Sequence, residues 1–258
     1  MRGARLVVHQ FRYELVEFAQ NAQSRFFTLA LPLILLLIFI AILGSHHTLG
    51  HTGIATLKIY YVPAMLAFGV VWASVINLAV NLTVAREEGV LKRRHAAPVP
   101  PWVFITARSL TAVILSLLIV VLLLAVGALA FGVGVSAARV PGLLAAVVVG
   151  SLAFCCMGYA LVTFVASEDG ALPVILGITL PLYFISGVFI EYAAIPHAIR
   201  DVATALPVRH LAAAMLLAFD RHASGAAIAG RDLLVVVAWG AVALALALRR
   251  FSWEPRGA

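Results

Sequence analysis

The chain has 258 residues, of which 64% are hydrophobic and 11% charged. A soluble domain carries about a quarter charged residues, so the composition excludes a water-soluble globule and describes a polytopic membrane protein. The net charge of +7 does not mark a nucleic-acid partner, because the basic residues are spread over the ends of apolar runs, where membrane topology accounts for them.

Residues 4–24 read as an amphipathic helix. Val7, Phe11, Leu15, Phe18 and Ala22 recur every three or four residues, with Arg5, Arg12, Glu14, Glu17, Gln20 and Gln23 on the polar sides. The segment is too charged to span and is expected to lie along the cytoplasmic membrane surface. No cleavage pattern follows the first apolar run, so that run reads as a retained span over 26–43, with Pro32 inside it. His46, His47 and His51 share the short outer loop that follows. A structural zinc site needs four ligands, and no carboxylate or cysteine accompanies these three, so no metal is expected.

Span 2 covers 59–85. Asn77 and Asn81 are four apart and share one face near its cytoplasmic end. They suit either interhelical hydrogen bonding or the wall of a translocation path. Next comes the densest charge cluster in the chain: Arg86, Glu87, Glu88, Lys92, Arg93 and Arg94. At roughly 3 kcal/mol per buried charge, six of them exclude this stretch from the bilayer, and its basic residues assign it to the cytoplasm. Glu88 precedes Lys92 by four residues, a favourable helical pair, and Pro98, Pro100 and Pro101 close the element. The expectation is a short charged cytoplasmic helix over 86–97 on which a partner docks.

Span 3 covers 103–133, longer than a bilayer requires, with Arg108 near its start free to snorkel to the inner interface. Span 4 covers 143–166 and contains Cys155 and Cys156. Adjacent cysteines bridge only with strain, and these read as small packing residues. Glu168 and Asp169 form a short cytoplasmic turn, a second contact for a partner. Span 5 covers 171–190 with Pro173 and Pro181 inside it, a kinked helix suited to motion. Residues 191–230 read as an outer hairpin of two short helices broken at Pro207, lying on or dipping into the bilayer. Span 6 covers 233–248. Twelve basic residues then fall inside and six outside, which sets both termini in the cytoplasm. The fold class is therefore all-α and polytopic, with six transmembrane helices in one domain over 1–258.

No GxxxxGK[ST] motif and no HExxH motif occurs, and no Asp, Glu or Lys lies deep within a span. These absences argue against a nucleotide site, a zinc protease centre or an ion-driven carrier in this chain. Energy must come from elsewhere, or the chain is a passive channel or scaffold. A membrane-embedded enzyme acting on lipid-linked substrates is a further reading. It would have to use the outer residues Glu191, His197, Asp201, His210, Asp220 and His222.

Three stretches carry a family likeness: Gln23 to Phe39 entering span 1; Ala85 to Leu110, an acidic-glycine turn with a basic helix and an Ala97-Pro98 step; and Leu180 to Phe219, with Ser186-Gly187, Ile195-Pro196 and Pro207-Val208. Together they resemble the ABC-2 type permeases of bacterial exporters, in particular the daunorubicin-resistance-like drug and lipid exporters. The resemblance implies two paired permease chains in the bacterial cytoplasmic membrane, with two separate ATPase subunits that bind ATP and Mg. It implies no cofactor and no catalytic site in this chain, and export of an amphipathic drug, lipid or glycoconjugate. The N-terminal helix with Glu14 would couple to the ATPase, as would the segment with Arg86, Glu87, Glu88, Gly89, Lys92 and Arg93. Spans 2 and 5 would line the path through Asn77, Asn81, Tyr183, Phe184, Ser186 and Phe189. The aromatics suit contact with an apolar cargo or ordinary packing equally.

Overall fold

A computed structural model describes residues 2–43, 57–91, 100–220, 222–223 and 225–250. His46, His47, His51, Lys92 and Arg93 lie outside the described residues. Within them the chain is helical, and six helices are long and apolar enough to cross a membrane.

Helix α1 (Arg2–Gln20) ends at Asn21, whose extended backbone turns the chain and whose side chain accepts the Ser24 N–H at 2.9 Å. This is an N-cap for the next helix, and it makes an elbow. The first span, α2 (Ala22–Ile42), contains a wide π turn over Phe26–Ala30, where the Leu31 N–H reaches back to the Phe26 carbonyl. The wide turn lies where Pro32, lacking an N–H, leaves the Thr28 carbonyl without its helical donor.

Helix α3 (Ile59–Glu87) is the axis of the fold: 83% of its apolar stretch is buried, against half or less for every other span. Helices α2, α4 (Pro101–Phe131) and α5 (Val140–Val162) pack around it, and its last turns meet α6 (Glu168–Ile185). A second π turn over Trp72–Ile76 carries the Asn77 N–H to the Trp72 carbonyl. The extra residue rotates everything after it by about 100°, which sets the phase of Asn77, Asn81 and Arg86.

Helix α4 stops at Gly132, whose left-handed φ of 68° closes the helix. Its length is used at its start. Helix α1 packs there, with Gly3 against the Trp102 ring and Glu14 beside Arg108. The half-buried stripe Val7, Phe11, Leu15 and Phe18 lies on the side of α1 that meets the bundle. Helix α1 is thus docked along the first third of α4.

Helix α6 ends at Ile185 rather than at 190. Gly187 takes φ +80°, and residues 188–192 fold back on α3. Only glycine fits there, since a Cβ would sit 3.1 Å from both Tyr192 and the Tyr60 hydroxyl. The two short helices α7 (His197–Ala203) and α8 (Pro207–Leu217) follow. Two short helices separated at Pro207 are those expected over 191–230. Pro207 opens α8, and Val208, Leu211, Ala214 and Met215 are buried where α8 wedges among α3, α5 and α9 (Gly230–Arg250). Helices α5 and α9 approach closely because Gly240 faces Ala153: a Cβ on Gly240 would lie 2.9 Å from that alanine. Small residues permit this in membrane bundles.

Candidate functional site

The end of the bundle that carries α1 gathers most of the polar groups. A cleft of about 350 Å³ opens between the α1–α2 elbow, α3 and the start of α6. Asn77 and Asn81 line it from α3, half-buried, and the Asn81 amide donates to the Asn77 oxygen at 2.8 Å. Within the chain the two asparagines therefore satisfy each other while leaving polar atoms toward the cleft. Thr28 lines the same cleft, fully buried, with no partner for its hydroxyl among the described residues.

Behind the asparagines, a smaller polar pocket is shared by Glu14, Glu17, Asn21, Arg108 and Thr111. Glu14 and Arg108 are only 6% and 8% exposed, with Arg108 Nε 3.6 Å from Glu14 Oε2 and Gln10 Nε2 donating to Glu14 Oε1 at 3.0 Å. Arg108 also lies over the Phe104 ring at 5.4 Å. Arg108 therefore does not snorkel, and the Glu14 carboxylate is turned into the chain: the two pin α1 to α4. Opposite charges on two segments entering the membrane were the available signal, and only the packing of α1 on α4 joins them.

Arg86 corrects a second expectation. It belongs to the last turn of α3 and is 1% exposed. Its Nη1 and Nη2 donate to the carbonyls of Val162 and Val165 at 3.0 and 2.7 Å, and its Nε donates to Glu87 Oε1 at 2.7 Å. Val162 is the last residue of α5 and Val165 lies in the chain just beyond it, so the guanidinium sits at the carbonyl end of that helix, where a cation is favoured. Gly89 (φ +70°) then stops the helix, and residues 90–91 begin a new one. The charged element thus starts after Gly89, not at Arg86. Glu88 remains exposed, as do Glu168 and Asp169 in the first turn of α6, which Ser167 caps through the Gly170 N–H at 3.2 Å. These three acids are brought to one end of the molecule, on rigid helix termini.

The aromatic residues of span 5 take different places from those expected. Tyr183 and Ser186 are fully buried, and Phe189 sits at the centre of an aromatic cluster, 5.7 Å from Phe39, 5.4 Å from Phe68 and 5.1 Å from Phe184. Of these residues Phe184 alone is exposed. While Phe184 faces outward, Tyr183, Ser186 and Phe189 are therefore packed inside this chain. They hold the returning loop against α3, assisted by Tyr61 donating to the Phe189 carbonyl at 3.3 Å and by Tyr60 donating to the Gly187 carbonyl. The sequence reading missed the two tyrosines, whose signal was a polar-tipped pair opening an apolar run.

Three of the residues named for a lipid-linked enzyme, His210, Asp220 and His222, take part in contacts within the α7–α9 region. His210 contacts Asp232 at 2.6 Å and the Thr204 carbonyl at 2.8 Å, and Asp220 accepts the His222 N–H at 2.9 Å.

Compared with known families, residues 6–219 match the family model described as ABC-2 type transporter. No curated protein matches the chain.

Proposed function

The chain belongs to the ABC-2 type transporter family, and we propose that it is the permease of an exporter in the bacterial cytoplasmic membrane, powered by two separate ATPase subunits. The family match over 6–219 carries this reading. Two permease chains pair, both termini face the cytoplasm, and ATP and Mg reside in the partners. The cargo is an amphipathic drug, lipid or glycoconjugate.

The arrangement of the α1 end supports a route for the work. Glu88, Glu168 and Asp169 offer exposed carboxylates on helix ends. A push there meets the axial helix α3 directly and passes through the Arg86 guanidinium to the end of α5. Asn77 and Asn81, one to three turns further along α3, would feel the same displacement beside the cleft. Lys92 and Arg93 continue the charged element on the far side of Gly89.

Affinity purification from the native membrane tests the reading. A P-loop ATPase with vanadate-sensitive hydrolysis is expected to accompany the chain. Glu88→Lys is expected to lower transport while leaving insertion and the amount of protein unchanged. A chain that purifies alone and supports transport without nucleotide would overturn it.

A further inference from the structure

At the end of the bundle opposite α1, a recess of about 300 Å³ opens between the first turn of α3, the chain returning from α6, and helices α7 and α8. Its charged lining is two cations, Arg200 from α7 and Arg209 from α8, with no carboxylate beside them. Among the described residues neither arginine has an ion pair within 4.0 Å. The Arg209 guanidinium lies 3.8 Å from the centre of the Tyr192 ring, and the Tyr192 hydroxyl donates to the Arg200 carbonyl at 3.2 Å. One tyrosine thus stacks on the Arg209 cation and holds the backbone at Arg200. Stacking uses the face of the Arg209 guanidinium and leaves its N–H edge uncommitted. Arg200 Nη2 is 2.9 Å from His197 Nε2, but its Nε–H is buried and has no acceptor. Two guanidiniums in one recess repel, and a buried donor without an acceptor is a cost that folded proteins avoid. Ala64, Ala212 and Leu216 form an apolar side of the wall, and the Tyr60 hydroxyl beside them is committed to the Gly187 carbonyl and the Tyr192 N–H.

We propose that this recess is an oxyanion site. The N–H edges of Arg200 and Arg209 take a phosphate or carboxylate group, and the apolar wall favours one carried on an apolar chain. The shape is that of an amphiphile: charged head between the arginines, chain along α3 and α8. This inference does not rest on the permease reading.

The purified chain in neutral detergent tests it, with native mass spectrometry and thermal unfolding as readouts. Dioleoyl phosphatidic acid is the probe, dioleoylglycerol the same tail without the oxyanion, and inorganic phosphate the oxyanion without the tail. Phosphatidic acid is expected to bind about tenfold more tightly than dioleoylglycerol and to raise the unfolding temperature. The combined R200Q and R209Q variant should abolish that preference. Ala193→Trp, at an exposed residue on the rim, should block the recess without touching either arginine, and it serves if the arginine variant fails to fold. Removing two exposed cations elsewhere, Arg5 and Arg12, should change nothing. Inorganic phosphate protecting as well as the lipid would overturn the amphiphile and leave a free oxyanion as the ligand. Equal retention of phosphatidic acid by the wild type, the arginine variant and Ala193→Trp would overturn the site, as would an equal loss in the Arg5/Arg12 variant. Each readout uses the permease chain by itself, so failure here is distinct from failure to recover an ATPase.

Discussion

Arg86 shows how one side chain ties the neighbouring ends of two spans. Its guanidinium donates to the carbonyl of Val162, the last residue of α5, and to that of Val165 in the chain just beyond it. A hydrogen bond from a charged donor contributes about 1.5–3 kcal/mol, so Arg86→Ala is expected to destabilise the chain by about 3 kcal/mol or more. Arg86→Lys keeps the charge but cannot fork to both carbonyls, and should recover only part of the loss. Equilibrium unfolding in mixed micelles would measure both. Wild-type stability in Arg86→Ala would mean that α5 does not depend on this contact.

Among the elements, α1 has the least ordinary anchorage. It is held to α4 by a half-buried apolar stripe and by the Glu14–Arg108 pair, which is almost withdrawn from solvent. Removing one member of such a pair strands the other charge, whereas removing both does not. Glu14→Ala should therefore loosen α1 and speed proteolysis at the elbow around Asn21. Adding Arg108→Met should restore part of the protection, with a coupling energy of about 1 kcal/mol or more in a double-mutant cycle. Strict additivity would show that the apolar stripe holds α1 unaided. The same logic of close fit governs α5 and α9, where Gly240 permits a backbone approach that any larger side chain would prevent.

For the whole molecule, the decisive question is sidedness. Six spans return the chain to the side on which it began, and Arg250 at the end of α9 lies 6.0 Å from the Phe164 ring, at the end that also carries Glu168. The proposed orientation sets α1 inside and α7 outside. In a background with Cys155 and Cys156 replaced by alanine, a cysteine at Asp201 should react with an impermeant maleimide in intact cells. A cysteine at Glu17 should react only after the membrane is opened. The reverse pattern would invert the molecule and would move the oxyanion recess to the cytoplasmic side.

The sequence by itself determined the number of spans and the all-helical class, but not the break at Asn21 within the helix expected over 4–24. A bilayer demands about 20 apolar residues per crossing and full backbone pairing within each one, so length and composition suffice for those conclusions. It also brought Asn77 and Asn81 to one face, because helical spacing fixes that locally. The tertiary structure decided which sides of the helices face protein. Lipid and protein interior are equally apolar, so hydropathy does not distinguish them: Leu123 and Leu129 lie six residues apart on α4, one fully buried and the other 89% exposed. For the same reason the inward turn of Arg86, the burial of Tyr183 and Ser186, and the wedging of α8 into the bundle were not legible. Each depends on the rotational phase of a helix, set by a π turn or a glycine, and on which neighbour occupies the facing groove.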